Sequence, residues 1–324
     1  MRRYPTIATA AASLFLLVSH AGAQEAVHRI GVLTSVDLPP ESQKAWQEGL
    51  RERGYIAGRN LQIEYRFTEG LVDRIPALAA ELVALKPEVI IATSPAPALA
   101  MKSAAPTIPL VFISVADPVA LGLVASLAHP GGNVTGVATI VPEGFNGKGI
   151  QLLKEVAPQA SRIALLQNPA NAMHQRSRAE MPEIGRFLGV TLFVVEASQP
   201  DQLASAFDAA SQQGAGAIAV SGDPMTLRQS ANIVALAGRH RLPAVYFFRQ
   251  SAIDGGLLSF GPNQTGFWHI AGGYVGRILN GEQPGDLPVH QPTKYELVVN
   301  LKTAAALGIT VPPSILTQAD EVIE

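Results

Sequence analysis

The sequence predicts an α/β protein built as two lobes, each with a doubly wound parallel sheet. Short apolar runs recur along the whole chain, each followed by a segment whose apolar residues fall at helical spacing. The pattern is complete by Ile140 and restarts at Glu143, as a second unit of the same kind would. With 324 residues, 48% hydrophobic and only 6% aromatic, the chain is too long for one ordinary core. Its aliphatic bias suits many short buried strands.

Five strands are read in the first half, at His28–Thr34, Asn60–Phe67, Val89–Thr93, Leu110–Val115 and Val134–Ile140. Between them, the helix Glu41–Arg53 carries Trp46, Leu50 and Arg53 on one stripe. The helix Leu71–Leu85 places Ile75, Leu78, Leu82 and Leu85 three or four residues apart. Ile108–Pro118 is the most informative stretch. An uninterrupted apolar run reads as a strand buried on both faces, and it delivers Ser114 and then Asp117 at its end. Asp117 stands where a helix N-cap belongs, with Pro118 at the first helical position. A helix Val119–Ala128 is therefore predicted, ending at His129-Pro130-Gly131-Gly132.

The second half reads as helix Glu143–Val156, strand Arg162–Gln167, helix Met173–Leu188 and strand Thr191–Glu196. Helix Pro200–Gln213, strand Ala217–Ser221, helix Thr226–Arg239 and strand Ala244–Phe248 follow. Strand Leu257–Phe260, helix Gln264–Leu279, strand Glu296–Leu301 and a short helix Thr303–Leu307 trail behind. These extra elements imply crossings between lobes near Ile140, Gly255 and Leu287. The expected division is 24–139 with 256–286 as the N-terminal lobe, and 140–255 with 287–324 as the C-terminal lobe.

Residues 1–23 read as an export signal. Arg2 and Arg3 precede a short apolar core from Ile7 to Val18, and Ala21-Gly22-Ala23 fits small-residue cleavage before Gln24. That core is too short to span a membrane. Without Arg2 and Arg3, 22 basic residues (24 minus 2) face 26 acidic ones, a net charge of about −4, with no surplus for nucleic acid. The chain has no cysteine, which excludes disulfides, thiolate metal sites, a cysteine nucleophile and a lipid-bearing cysteine at the cleavage point. The product is expected to be a soluble periplasmic monomer, neither lipoprotein nor membrane-inserted.

Enzyme signatures are not legible. Gly144-Phe145-Asn146-Gly147-Lys148 lacks the spacing and the hydroxyl residue of a phosphate loop, and Ser221 lacks the glycines of a nucleophile elbow. The seven histidines are scattered. No metal or cofactor is implied.

Several segments together resemble one family. They include Gly49-Leu50-Arg51-Glu52-Arg53-Gly54-Tyr55, Asp117-Pro118-Val119, Pro130-Gly131-Gly132-Asn133-Val134-Thr135-Gly136 and Gln291-Pro292-Thr293-Lys294-Tyr295-Glu296. They resemble the ABC-transporter substrate-binding proteins of the tryptophan/tyrosine-binding type, in order and over the whole mature chain. The resemblance implies the type I periplasmic-binding fold, with two Rossmann-like lobes, three crossovers and a ligand closed between them. It also implies delivery of a small molecule, an amino acid or aromatic carboxylate, to permease subunits driven by a cytoplasmic ATPase. Relatives that bind aromatic amino acids are mostly lipoproteins, and this chain departs from them in lacking the anchoring cysteine. A sensory ligand-binding subunit and an enzyme on the same fold are the alternatives.

In that fold the strand ends ring the ligand. Thr34 and Ser35 end the first strand, Ser94, Pro95 and Ala96 the third, and Ser114 and Asp117 the fourth. Ser94 and Ser114, with nearby helix amides, are candidates for a ligand carboxylate. Asp117 and Asp223 are each either a partner for a ligand amine or simply a helix cap. Phe145 and Phe248 are candidates to sandwich a flat group. Phe247 and Phe248 adjoin on one expected strand, so only one of them should face the ligand.

Overall fold

The computed structural model describes residues 27–35, 37–139, 144–292 and 294–324. The expected export signal and the first crossing at Ile140 lie outside these residues. In the N-terminal lobe the elements run β1 (His28–Thr34), α1 (Pro40–Arg51), β2 (Leu61–Phe67) and α2 (Ile75–Ala84). They continue with β3 (Val89–Thr93), α3 (Pro95–Ala104), β4 (Leu110–Val115) and β5 (Val134–Ala138). All five strands are parallel, in the order β2-β1-β3-β4-β5.

The apolar runs are continuous because both faces of this sheet are covered. Alternate residues of one strand enter opposite cores. Leu33, Ile90, Ala92 and Phe112 pack under α2 and α3, whereas Ile30, Val32, Ile91 and Val111 pack under α1 and a late helix. Phe112 is fully buried, which contributes about 1.5–3 kcal/mol.

The C-terminal lobe repeats the plan with α4 (Phe145–Val156), β6 (Arg162–Gln167), α5 (Ala172–Leu188) and β7 (Thr191–Glu196). Next come α6 (Leu203–Gln212), β8 (Ala217–Val220), α7 (Pro224–Arg228), α8 (Ser230–Arg239), β9 (Ala244–Tyr246), α9 (Arg249–Ile253) and β10 (Leu258–Pro262). The chain then adds α10 (Gln264–Leu279), β11 (Tyr295–Asn300), α11 (Leu301–Leu307), α12 (Pro313–Gln318) and β12 (Glu321–Ile323). The seven-stranded sheet runs β12-β11-β10-β9-β8-β6-β7, parallel except that β10 and β11 are antiparallel.

The late helix on the first lobe is α10. Phe267, Trp268, Ala271 and Val275 join Trp46 and Leu50 of α1 in one core. The two helices cross on glycine: a Cβ at Gly49 would stand 2.1 Å from the His269 carbonyl oxygen. Only a residue without a side chain allows that approach.

Several expectations give way here. The helix Val119–Ala128 does not form. Asp117 starts one turn, with the Leu121 N–H bonded to its carbonyl, but Gly122 adopts φ +66° and ends it. The Lys102 ammonium takes the carbonyls of Gly122 and Leu123, which an extended helix would have used. The expected helix Thr226–Arg239 is two, broken at Gln229 with ψ 15°. Strand β9 ends at Tyr246, before Phe247 and Phe248. Strand β10 pairs in the C-terminal sheet, although 256–286 was expected in the N-terminal lobe. Later in that segment α10 and the turn Pro284–Asp286 pack on the first lobe, and so do Leu287 and Val289, although 287–324 was expected in the C-terminal lobe. The closing pair α12 and β12 is additional.

Candidate ligand-binding cleft

Both sheets turn the carboxyl ends of their strands toward a cleft of about 700 Å³ lined by residues of both lobes. Crevices of this kind, outside strand ends, are where open α/β sheets bind ligands. Thr34, Ser35, Ser94, Pro95 and Ser114 line it from the first lobe, and Phe145, Asp223 and Phe248 from the second.

Ser94 and Ser114 share an unusual backbone. Ser94 directly follows β3, Ser114 is the last residue but one of the neighbouring β4, and they carry φ values of +72° and +61°. Non-glycine residues in that region cost on the order of 1–3 kcal/mol and persist where packing over-determines them. The Ser94 N–H donates to the Ile113 carbonyl at 2.8 Å, which ties the two strand ends together. Among the described residues neither hydroxyl has a protein partner. Behind Ser94, Pro95 and Pro97 remove two of the first three amides of α3. The helix terminus therefore offers only the Ala96 N–H in that turn. The Ala96 side chain itself packs on the N-terminal core and does not line the cleft.

Asp223 is only 5% exposed. Its Oδ1 accepts from the Met225 N–H at 2.9 Å, capping α7, and from the Asn168 side-chain amide at 3.2 Å. Its Oδ2 accepts from the same Asn168 amide at 3.2 Å and from Asn171 at 3.0 Å. Both asparagines follow β6, the neighbouring strand. His174 locks that loop: its Nε2 lies 3.2 Å from the Gly222 carbonyl oxygen, and the Asn168 N–H donates to its Nδ1 at 3.0 Å. No Lys or Arg pairs with Asp223 among the described residues. A buried carboxylate fixed by neutral donors keeps its attraction for a cation entering the cleft.

Asp117 behaves differently. It does not line the cleft, and its Oδ1 accepts the Ala120 N–H at 2.9 Å. Of its two sequence readings, the structure realises the cap.

An aromatic wall completes the second lobe. Phe145 stacks on Phe260 with ring centres 5.0 Å apart and meets Phe247 edge-on at 5.9 Å. Phe247 meets Phe248 edge-on at 5.1 Å. Both Phe247 and Phe248 line the cleft, against the expectation that one would be core. They lie beyond the end of β9, where strand alternation no longer applies. Phe247 rests on Gly222, where a Cβ would come within 2.6 Å of the ring. Asn171, His174 and Ser177 of the cleft escaped sequence reading, since nothing local marks them. Trp268 both belongs to the first core and lines the cleft.

The sequence model of the ABC transporter substrate-binding proteins matches residues 29–323. This chain belongs to that family. A tyrosine-binding protein of Clostridioides difficile is 25% identical to this substrate-binding protein over 290 residues, 86% of this chain and 81% of the relative. A conserved domain protein from Vibrio cholerae superposes with a TM-score of 0.83 at 27% identity, covering 91% of this chain and 99% of that one. An ABC domain from Streptococcus pneumoniae in complex with L-tryptophan gives 0.82 at 26% identity, covering 92% and 100%. The substrate-binding protein has the type I periplasmic-binding fold of these neighbours. Among the described residues no helix is long and apolar enough to cross a membrane.

Proposed function

We propose that this substrate-binding protein is the periplasmic receptor of an ABC importer, and that it captures an aromatic α-amino acid. It would hand the ligand to permease subunits driven by a cytoplasmic ATPase. The observation that carries the reading is the placement of Asp223, a buried carboxylate with no cationic partner among the described residues, beside a wall of phenyl rings in one interlobe cleft. An α-amino acid with a flat side chain supplies the matching ammonium and ring. Its carboxylate would be met by the Ser94 and Ser114 hydroxyls and the Ala96 N–H. The tryptophan complex and the tyrosine-binding relative support this ligand class. A two-lobed receptor works by closure and release, ligand favouring the closed state through contacts to both lobes.

Titration calorimetry of protein purified without refolding tests the proposal. L-Tryptophan, L-tyrosine or L-phenylalanine should bind with micromolar or tighter affinity, about −8 kcal/mol, and L-leucine and L-glutamine far more weakly. No heat with any aromatic amino acid, together with a different co-purified compound in native mass spectrometry, would overturn it.

A further inference from the structure

We propose that two exposed ion-pair latches at the mouth of the cleft, Arg249–Glu41 and Arg228–Glu69, set the balance between closed and open forms. The inference rests on the reading above that the lobes close over a ligand. Among the described residues these are the two ion pairs that join the lobes. The Arg249 Nη1 donates to Glu41 of α1 at 3.4 Å, and the Arg228 Nη1 lies 3.9 Å from Glu69.

Each latch is anchored on one side only, and the anchors lie in opposite lobes. Arg249 is fixed in the C-terminal lobe by Glu321, whose Oε2 accepts from its Nε at 3.0 Å and its Nη2 at 2.7 Å. Glu69 is fixed in the N-terminal lobe by Arg74 at 2.8 Å and by a left-handed backbone with φ +56°. The bridging side chain is thus already ordered before the lobes meet, so closing the latch immobilises less than an isolated surface pair would. Opening unpairs only the solvent-exposed Glu41 and Arg228, because Arg249 keeps Glu321 and Glu69 keeps Arg74. Such a contact adds a small reversible bias. Since the six side chains are 38–49% exposed, dissolved salt screens that bias.

The chain has no cysteine, so Ser103→Cys and Gln212→Cys, both at exposed positions on different lobes, give a unique spin-label pair in the full mature protein. Interlobe distances are then measured without ligand at 20 mM and 500 mM NaCl. The closed-to-open ratio should fall at high salt. Arg249→Met should lower it about threefold at low salt, and Arg249→Met with Arg228→Met about tenfold, with the salt response gone. Glu41→Gln, which leaves the Arg249–Glu321 pair intact, should reproduce the single-latch effect even if the arginine variants melt early. Identical distance distributions in wild type and all variants at both salts would overturn the latches. Adding L-tryptophan to the labelled wild type separates the two claims: failure to close rejects that ligand, while the salt response of the unliganded protein still decides the latches.

Discussion

Two loops of this protein begin with nearly the same words. Val115-Ala116-Asp117-Pro118 begins on the last residue of β4, and Ser221-Gly222-Asp223-Pro224 follows β8. Each aspartate caps a following turn through its carboxylate, Asp117 to Ala120 and Asp223 to Met225. There the likeness ends. Asp117 is half-buried outside the cleft, whereas Asp223 is buried within its lining and gripped by Asn168 and Asn171. The local code for a cap is the same in both. The partners brought by the neighbouring strand turn one of the two into a binding candidate.

Neutralising each aspartate is the strongest way to break this contrast. Asn caps a helix about as well as Asp, so Asp→Asn removes charge and leaves the turn. Asp223→Asn should lose about 2–5 kcal/mol of L-tryptophan binding in calorimetry, as buried charge pairs do when one partner is removed. Asp117→Asn should leave affinity within about 0.5 kcal/mol of wild type. Equal losses, or none in either, would erase the distinction.

The residue before each aspartate sharpens it next. Gly222→Ala drives a Cβ to 2.6 Å from the Phe247 ring, and overpacking of this kind costs about 1–3 kcal/mol in urea unfolding. It should also weaken ligand binding, because the displaced ring belongs to the cleft wall. At the matching position the reverse change, Ala116→Gly, should cost at most about 0.5–1 kcal/mol and spare affinity. A Gly222→Ala protein with wild-type stability and binding would mean that Phe247 yields freely.

A third test concerns the serines that line the cleft from the other lobe. Ser94→Gly and Ser114→Gly relieve a left-handed backbone and should raise stability by about 1 kcal/mol each. The same changes remove a hydroxyl proposed to hold the ligand carboxylate, so affinity should fall. Stability and binding thus move in opposite directions. Variants that lose both would show that the serines serve packing alone.

The smallest effect expected is on pH. Burial holds the His290 imidazole below its usual pKa of 6.5. A base with a depressed folded value contributes stability above its unfolded pKa and loses it as pH falls below that value. Thermal melts should therefore show a mild loss below pH 6.5, reduced in His290→Gln. An identical acid profile in the variant would assign the loss to carboxylates elsewhere.

Most of the architecture was legible in the sequence, because strands buried on both faces must be apolar throughout and their helices must carry one apolar stripe. Runs such as Val89–Thr93 and stripes such as Ile75, Leu78 and Leu82 leave little freedom of interpretation. Placing Thr34, Ser94, Ser114, Phe145 and Asp223 at strand or helix ends also sufficed to bring them to the cleft.

Other features were beyond local reading. A cap and a proline announce a turn, but whether a helix continues past Gly122 depended on Lys102 taking the carbonyls from a separate helix. Whether Phe247 alternates with Phe248 depended on where β9 loses its neighbour. Strand β10 joined the second sheet because its partners β9 and β11 lie there, a pairing that no property of Leu258–Pro262 itself specifies. Asp117 and Asp223 were left equivalent by the sequence, since hydrogen-bond donors 52 and 55 residues away decide which carboxylate is held in the cleft. Periodicity and capping act over a few residues and can be read from the chain. Burial, partner identity and the shape of the cleft depend on contacts distant in sequence, and only the folded structure brings those together.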